Sequence, residues 1–123
     1  MNNNKQFSLS NRIKSFGYAV EGIIIFFKTQ HNAWIHAFAA IIVVVLGLVL
    51  KINNNEWCLV VIAITMVIAA EMLNTAIEFL TDIASPDYHE MAKKVKDVAA
   101  GAVFVTAIAA VVIGLIVFLP KIF

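Results

Sequence analysis

Apolar positions fill three long stretches of this chain and recur at helical spacing in a fourth. Ala33 to Leu50 is interrupted only by His36, and Trp57 to Ala70 is uncharged with Thr65 its only hydroxyl. The second stretch continues to about Leu80, with polar residues confined to its last half. Val98 to Leu119 is 22 residues without a charge, with Thr106 its only polar side chain. About 20 residues cross a hydrocarbon core of ~30 Å, so each stretch is long enough to span. Ahead of them, Phe16, Ala19, Val20, Ile23 and Phe27 follow an i, i+3, i+4, i+7, i+11 pattern, while Arg12, Lys14, Glu21 and Lys28 supply polar character. This predicts an amphipathic helix over about 11–30, suited either to the membrane interface or to packing on its own bundle. The expectation is an all-α membrane protein: a flexible polar segment over 1–10, then one domain over 11–123. That domain holds an interfacial helix and three spans at about 33–50, 57–80 and 98–119.

The connections are short. Asn53, Asn54 and Asn55 predict a turn between the first two spans. Ser85-Pro86-Asp87 reads as a helix start, with Ser85 as N-cap and Pro86 at the first helical position. The helix so opened carries His89, Lys93, Lys96 and Asp97 and runs on into the third span. The first apolar stretch is long and lacks an evident cleavage site, so it reads as a span rather than a signal peptide.

Composition agrees with a membrane protein. Of 123 residues, 62% are hydrophobic and 14% charged, and the mean hydropathy is +0.91, too apolar for an ordinary soluble domain. The net charge of +1 points to no partner, and no basic patch suggests nucleic acid. Cys58 is the single cysteine, which excludes an internal disulfide and reads as packing volume. Lys5, Arg12, Lys14 and Lys28 precede the first span, and Lys93, Lys94 and Lys96 lie between the second and third. Only Lys51 and Lys121 fall on the other side. The positive-inside rule then places the N-terminus and the 82–97 segment in the cytoplasm.

Within this apolar background Glu71, Asn74, Glu78 and Asp82 share one stripe of the second span, inside an arc of roughly 80°. An acid near a helix centre in hydrocarbon costs about 2.5–3.5 kcal/mol on insertion scales, so repeated acids on one face mark a functional site. Glu71 falls about 21 Å from Trp57 and Glu78 about 10 Å further on. The ladder therefore joins a lipid-accessible depth to a water-accessible one. A carboxylate at the deep end suits a general base. Carboxylates at the wet end suit Mg²⁺ shared with substrate phosphates, and Lys96 suits phosphate oxygens. No GxxxxGK[ST] or GxGxxG motif occurs, and no Cys/His set fits zinc. From the residues alone, phosphoryl transfer and an ion or proton relay both remain open.

The run Glu71-Met-Leu-Asn74-Thr75-Ala76-Ile77-Glu78, followed by Asp82, resembles the signature of the small prokaryotic diacylglycerol kinases, which include undecaprenol kinases. The resemblance extends to Asp87-Tyr88-His89-Glu90, to Lys96-Asp97-Val98-Ala99-Ala100-Gly101-Ala102-Val103, to Ser15-Phe16-Gly17-Tyr18-Ala19 with Gly22, and to Asn32-Ala-Trp-Ile-His36. It covers roughly residues 11–119 in order.

The resemblance implies a homotrimeric enzyme of the bacterial inner membrane that moves the γ-phosphoryl of MgATP onto a lipid hydroxyl. Glu71 would be the catalytic base. The nucleotide site would take Tyr18, Gln30, Asn74, Glu78, Asp87, Tyr88, His89, Lys96 and Asp97. Glu78 and Gln30 would hold metal. Arg12, the segment Asn32, Ala33, Trp34, Ile35 and His36, and Ala100 would lie near the lipid beside Glu71. Gln30 departs from the family pattern, in which many members carry a second metal-binding glutamate there. An amide offers oxygen without charge, and Glu21 is an alternative acid. Plainer roles also fit several positions: His36 as a packing or interface histidine, Trp34, Trp57 and Tyr88 as interface aromatics, and Lys93 and Lys94 as headgroup charges. The acceptor reading leans to diacylglycerol, with undecaprenol the alternative. On the third span Ala110 and Gly114 form a small-xxx-small pair suited to close helix packing.

Overall fold

The computed structural model describes residues 7–123, which form α1 (Leu9–Thr29), α2 (His31–Val49), α3 (Asn54–Ala84) and α4 (Glu90–Ile122). Residues 1–6, with Lys5 and most of the polar N-terminal segment, lie outside the described residues. Helix α1 already begins inside that segment, where the Ser8 side chain accepts from the Asn11 N–H at 3.4 Å. Helices α2, α3 and α4 are each long and apolar enough to cross a membrane, as the hydropathy pattern predicts.

Helices α3 and α4, of 31 and 33 residues, rise about 46 and 50 Å. Both exceed the hydrocarbon thickness by several turns. The spans expected at 57–80 and 98–119 are the apolar centres of these longer helices, and the overhang carries Asp82, Lys93, Lys96 and Asp97. The two pack antiparallel along their lengths, while α2 and α1 make smaller contacts with the rest.

The α2–α3 turn is built by two local devices. Lys51 takes a left-handed conformation at φ 53°, and the Ile52 N–H donates back to the Gly47 carbonyl at 3.2 Å. This is the Schellman closure that usually uses glycine. Asn53 then caps α3: its side chain accepts from the Glu56 N–H at 2.9 Å, and Glu56 accepts from the Asn53 N–H at 3.0 Å. Of the three asparagines expected in the turn, Asn54 and Asn55 are the first residues of α3. Glu56 also meets Lys121 from the end of α4 at 3.1 Å. Next to this end lies the tightest core, Ile52, Val60, Val117 and Phe118, with Trp57 and Leu46 against it. Trp57 is thus partly a core residue, seated over Gly47.

The opposite connection differs from its sequence reading. Ser85 closes α3, its N–H donating to the Thr81 carbonyl at 2.8 Å, and does not cap the next helix. The cause is Pro86, whose ring pushes the preceding residue out of helical geometry. Ser85 sits at φ −141°, ψ 79°. The cap of α4 is His89, whose Nδ1 accepts from the Met91 N–H at 3.1 Å. From Glu90 the helix does run unbroken into the third span.

Only Gln30 separates α1 from α2, in extended conformation. The joint is clamped by Trp34, whose Nε1–H donates to the Phe27 carbonyl at 2.8 Å while its ring meets Phe27 edge-to-face at 5.1 Å. Phe26 and Ala33 are buried beside it.

A Cβ at Gly47 would come within 2.8 Å of Trp57. Gly47→Leu is therefore expected to overpack this end and destabilise by about 1–3 kcal/mol, read as a lower thermal midpoint in detergent. Lys51→Gly, which relaxes a left-handed residue, should not lower it.

Candidate active site

Helix α3 sets four polar side chains at graded depths. Glu71 is buried, Asn74 and Glu78 are half-buried, and the Asp82 side chain is 64% exposed. Thr75 and Thr81 are also buried, but their hydroxyls donate back to the Glu71 and Ile77 carbonyls of their own helix. They need no further partner. The four ladder residues are the groups left to interact with something else.

Among the described residues Glu71 has one side-chain partner, the His36 imidazole on α2. His36 Nε2 lies 2.9 Å from Glu71 Oε1. One turn along, the Asn74 amide donates to Glu78 Oε1 at 3.1 Å. Asn74 Oδ1 is buried and has no partner among the described residues. An oxygen so placed normally has a donor or a cation to satisfy it. A neutral oxygen beside a carboxylate is a hard-cation donor set of the kind Mg²⁺ takes, usually completed by phosphate and water. Among the described residues no three His, Cys, Asp or Glu side chains converge on one point. A cation at Glu78 would therefore draw most of its shell from substrate and solvent.

Beyond Glu78 the overhanging helices enclose a cleft of about 390 Å³. Its walls carry Asp82, Asp87, Tyr88, His89, Lys96 and Asp97, all but Asp82 expected at a nucleotide site. Lys96 pairs with Asp82 at 2.6 Å, joining α4 to α3, and Lys93 pairs with Asp97 at 2.6 Å along α4. Lys93 thus belongs to the cleft, beyond its expected headgroup role. Tyr88 is 82% exposed at the rim.

On the other side of Glu71, α2, α3 and α4 leave an apolar cavity of about 380 Å³. His36 is its one ionisable wall residue. Ala39, Val67, Ile68 and Ala107 are among the rest, and the small-residue pair Ala110 and Gly114 lines it too. The pair leaves space here instead of closing a helix contact within this chain. Glu71 lines neither space but lies between them along α3, three residues from Ile68 of the cavity and ten, about 15 Å, from Thr81 of the cleft.

The remaining expected residues lie apart from this cluster within one chain. Arg12 stacks over the Phe7 ring at 5.4 Å, and Tyr18 is 67% exposed on α1. Gln30 donates weakly to Thr29 at 3.4 Å and makes no hydrogen bond to the α3 ladder among the described residues. Asn32, Ile35 and Ala100 are exposed, Ala33 is buried and Trp34 is engaged with Phe27. Sequence reasoning overlooked the His36–Glu71 contact, because the two residues are 35 apart and each helix pattern says nothing of which turns meet.

Three helices long and apolar enough to cross a membrane, with an acid ladder that leads to a cleft of acids and lysines, define an integral membrane protein. Residues 17–118 match the family described as prokaryotic diacylglycerol kinase. The undecaprenol kinase of Bacillus subtilis is 40% identical over 113 residues, 92% of each chain. A diacylglycerol kinase of Synechocystis is 39% identical over 111 residues, 89% of this chain and 63% of that one. The diacylglycerol kinase of Escherichia coli K12 is 31% identical over 107 residues, 81% of this chain and 82% of that one. The chain belongs to the prokaryotic diacylglycerol kinase family, and it is a lipid kinase.

The Lys96–Asp82 pair is solvent-exposed, and such pairs are worth about 0–1 kcal/mol. Lys96→Gln should therefore hardly shift the thermal midpoint, while the apparent KM for ATP rises or turnover falls. A large loss of stability would assign Lys96 to the fold instead.

Proposed function

We propose that this kinase transfers the γ-phosphoryl of MgATP to the hydroxyl of a membrane lipid at the α3 ladder, with Glu71 as general base. The observation that carries this reading is the position of Glu71, a buried acid between an apolar cavity and a cleft of acids and lysines. A lipid held by its chains would present its hydroxyl there. Glu71 accepts the hydroxyl proton as the hydroxyl oxygen bonds to the γ-phosphorus. The bond from that phosphorus to the β-phosphate oxygen breaks, ADP leaves, and the proton passes to water. Positioning and charge stabilisation carry most of the catalysis in such a transfer.

Asn74 and Glu78 would hold Mg²⁺, which when bound supplies positive charge at the phosphates. Gln30 is a further, uncharged oxygen donor for it. Lys96 offers its ammonium to phosphate oxygens, as a point charge. Asp87, Tyr88, His89 and Asp97 bound the nucleotide, and Tyr18 closes over it. Arg12, Asn32 and Ala100 belong to the lipid side. We further propose a homotrimer, in which neighbouring protomers bring α1 to the ladder. Support comes from the resemblance and from the exposure of Tyr18, Arg12 and most of the apolar surface of α2 and α4. The excess of lysine and arginine on the cleft side supports a cytoplasmic site, and the resemblance supports the bacterial cell (inner) membrane as its location.

For the acceptor we favour undecaprenol, since the Bacillus relative so named aligns over 92% of both chains. Diacylglycerol remains the second reading, favoured by the names of the Synechocystis and Escherichia relatives. Both lipids present a primary hydroxyl at the interface. Side-by-side transfer of labelled γ-phosphate to each in mixed micelles decides between them. Faster labelling of diacylglycerol would reverse the preference, and labelling of neither would remove the site reading. Glu71→Gln should abolish transfer, by about 10²-fold or more for a lost general base, while leaving a folded oligomer. Gln30→Glu should lower the magnesium concentration that gives half-maximal rate.

A further inference from the structure

One contact of the ladder has no role in the transfer as described above. His36 comes from the second turn of α2 and Glu71 from the middle of α3, two helices that otherwise touch lightly. Their side chains nevertheless meet at 2.9 Å, with the Glu71 side chain only 9% exposed. A carboxylate acting as base only accepts hydrogen bonds, so in that role its partner Nε2 is the atom that carries the proton and donates. No other side chain bonds to Glu71 among the described residues. The rest of the cavity wall around His36 is uncharged on α2, α3 and α4 alike. Each group is therefore the other's one strong partner.

The turn of α2 that bears His36 is itself fixed. Two residues earlier, Trp34 is bonded to the Phe27 carbonyl, and Ala33 is fully buried. The imidazole thus projects from a braced segment, which is what a group must have to orient another. From this geometry we infer that His36 is a positioning residue for Glu71 and not a lipid contact: its Nε2–H holds Oε1, leaving Oε2 to face the acceptor hydroxyl. The inference rests on the reading of Glu71 as base. It adds how a flexible three-torsion side chain is kept in a single productive orientation.

The test compares His36→Gln, His36→Asn and His36→Leu in the full-length protein, with lipid and ATP varied separately. The Gln amide nitrogen lies where Nε2 lies, whereas the Asn nitrogen takes the place of Nδ1 and cannot reach Glu71. His36→Leu and His36→Asn should lower kcat by about 10- to 100-fold, the usual effect of a misplaced reacting group, with both KM values unchanged. His36→Gln should recover most of the rate. A raised lipid KM at constant kcat would make His36 a lipid contact and overturn the inference. Equal rates for Gln and Asn, or rate losses that follow the loss of thermal stability across all three, would overturn it too. If His36→Leu does not fold, the Gln–Asn pair alone decides. Glu71→Gln is measured beside them. If it turns over normally, the base reading fails; if it is inactive while His36→Asn is normal, only the positioning role fails.

Discussion

A carboxylate removed from water on an apolar helix must be given a hydrogen-bond partner or it destabilises the protein that carries it. Here that requirement is met by one imidazole, and the rest of the site follows from where the two side chains can meet. The His36–Glu71 contact ties the second turn of α2 to the middle of α3. Above it lies an apolar cavity, and below it the ladder descends through Asn74 and Glu78 to the Lys96–Asp82 pair.

The bundle is tight at one end and open at the other. The α2–α3 turn, the Asn53–Glu56 capping box and the Glu56–Lys121 contact close the far end over Val60, Val117 and Phe118. At the site end α3 and α4 continue past the membrane and are joined by a short connector that Pro86 breaks out of the helix. Such an arrangement puts stability and chemistry in different places. The two long helices touch along their whole lengths, but the buried apolar cluster that locks them sits at the far end, away from the cleft.

Much of this was legible in the chain. Hydropathy marked three spans, and helical spacing put Glu71, Asn74, Glu78 and Asp82 on one stripe, which the structure arranges from dry to wet. The resemblance supplied the family, which the comparisons bear out. Other features were not legible. Ser-Pro-Asp signals a helix start as readily as a stop, and only the run of α3 through Thr81 shows Pro86 ending one helix rather than opening another. Lys51 carries no mark of a left-handed residue, because the closure of the α2–α3 turn sets its conformation. His36 reads as a residue near the lipid, or more plainly as a packing or interface histidine, since pairing across helices leaves no trace in the periodicity of either. Trp34 fits an interface aromatic equally well until its bond to Phe27 is seen.

The overhang of α3 also bears on how the protein meets membranes of different thickness. Its polar anchors at Asn53 and Glu56 sit about 27 and 23 Å from Glu71 along the helix axis, and they set the depth of the whole rod from the far leaflet. Hydrophobic mismatch is then absorbed at the near leaflet. A thicker bilayer raises its surface along the rod and submerges Asn74 and Glu78, whereas a thinner one bares Glu71 to water. Lipid composition thus acts on this enzyme as a tide against a fixed gauge.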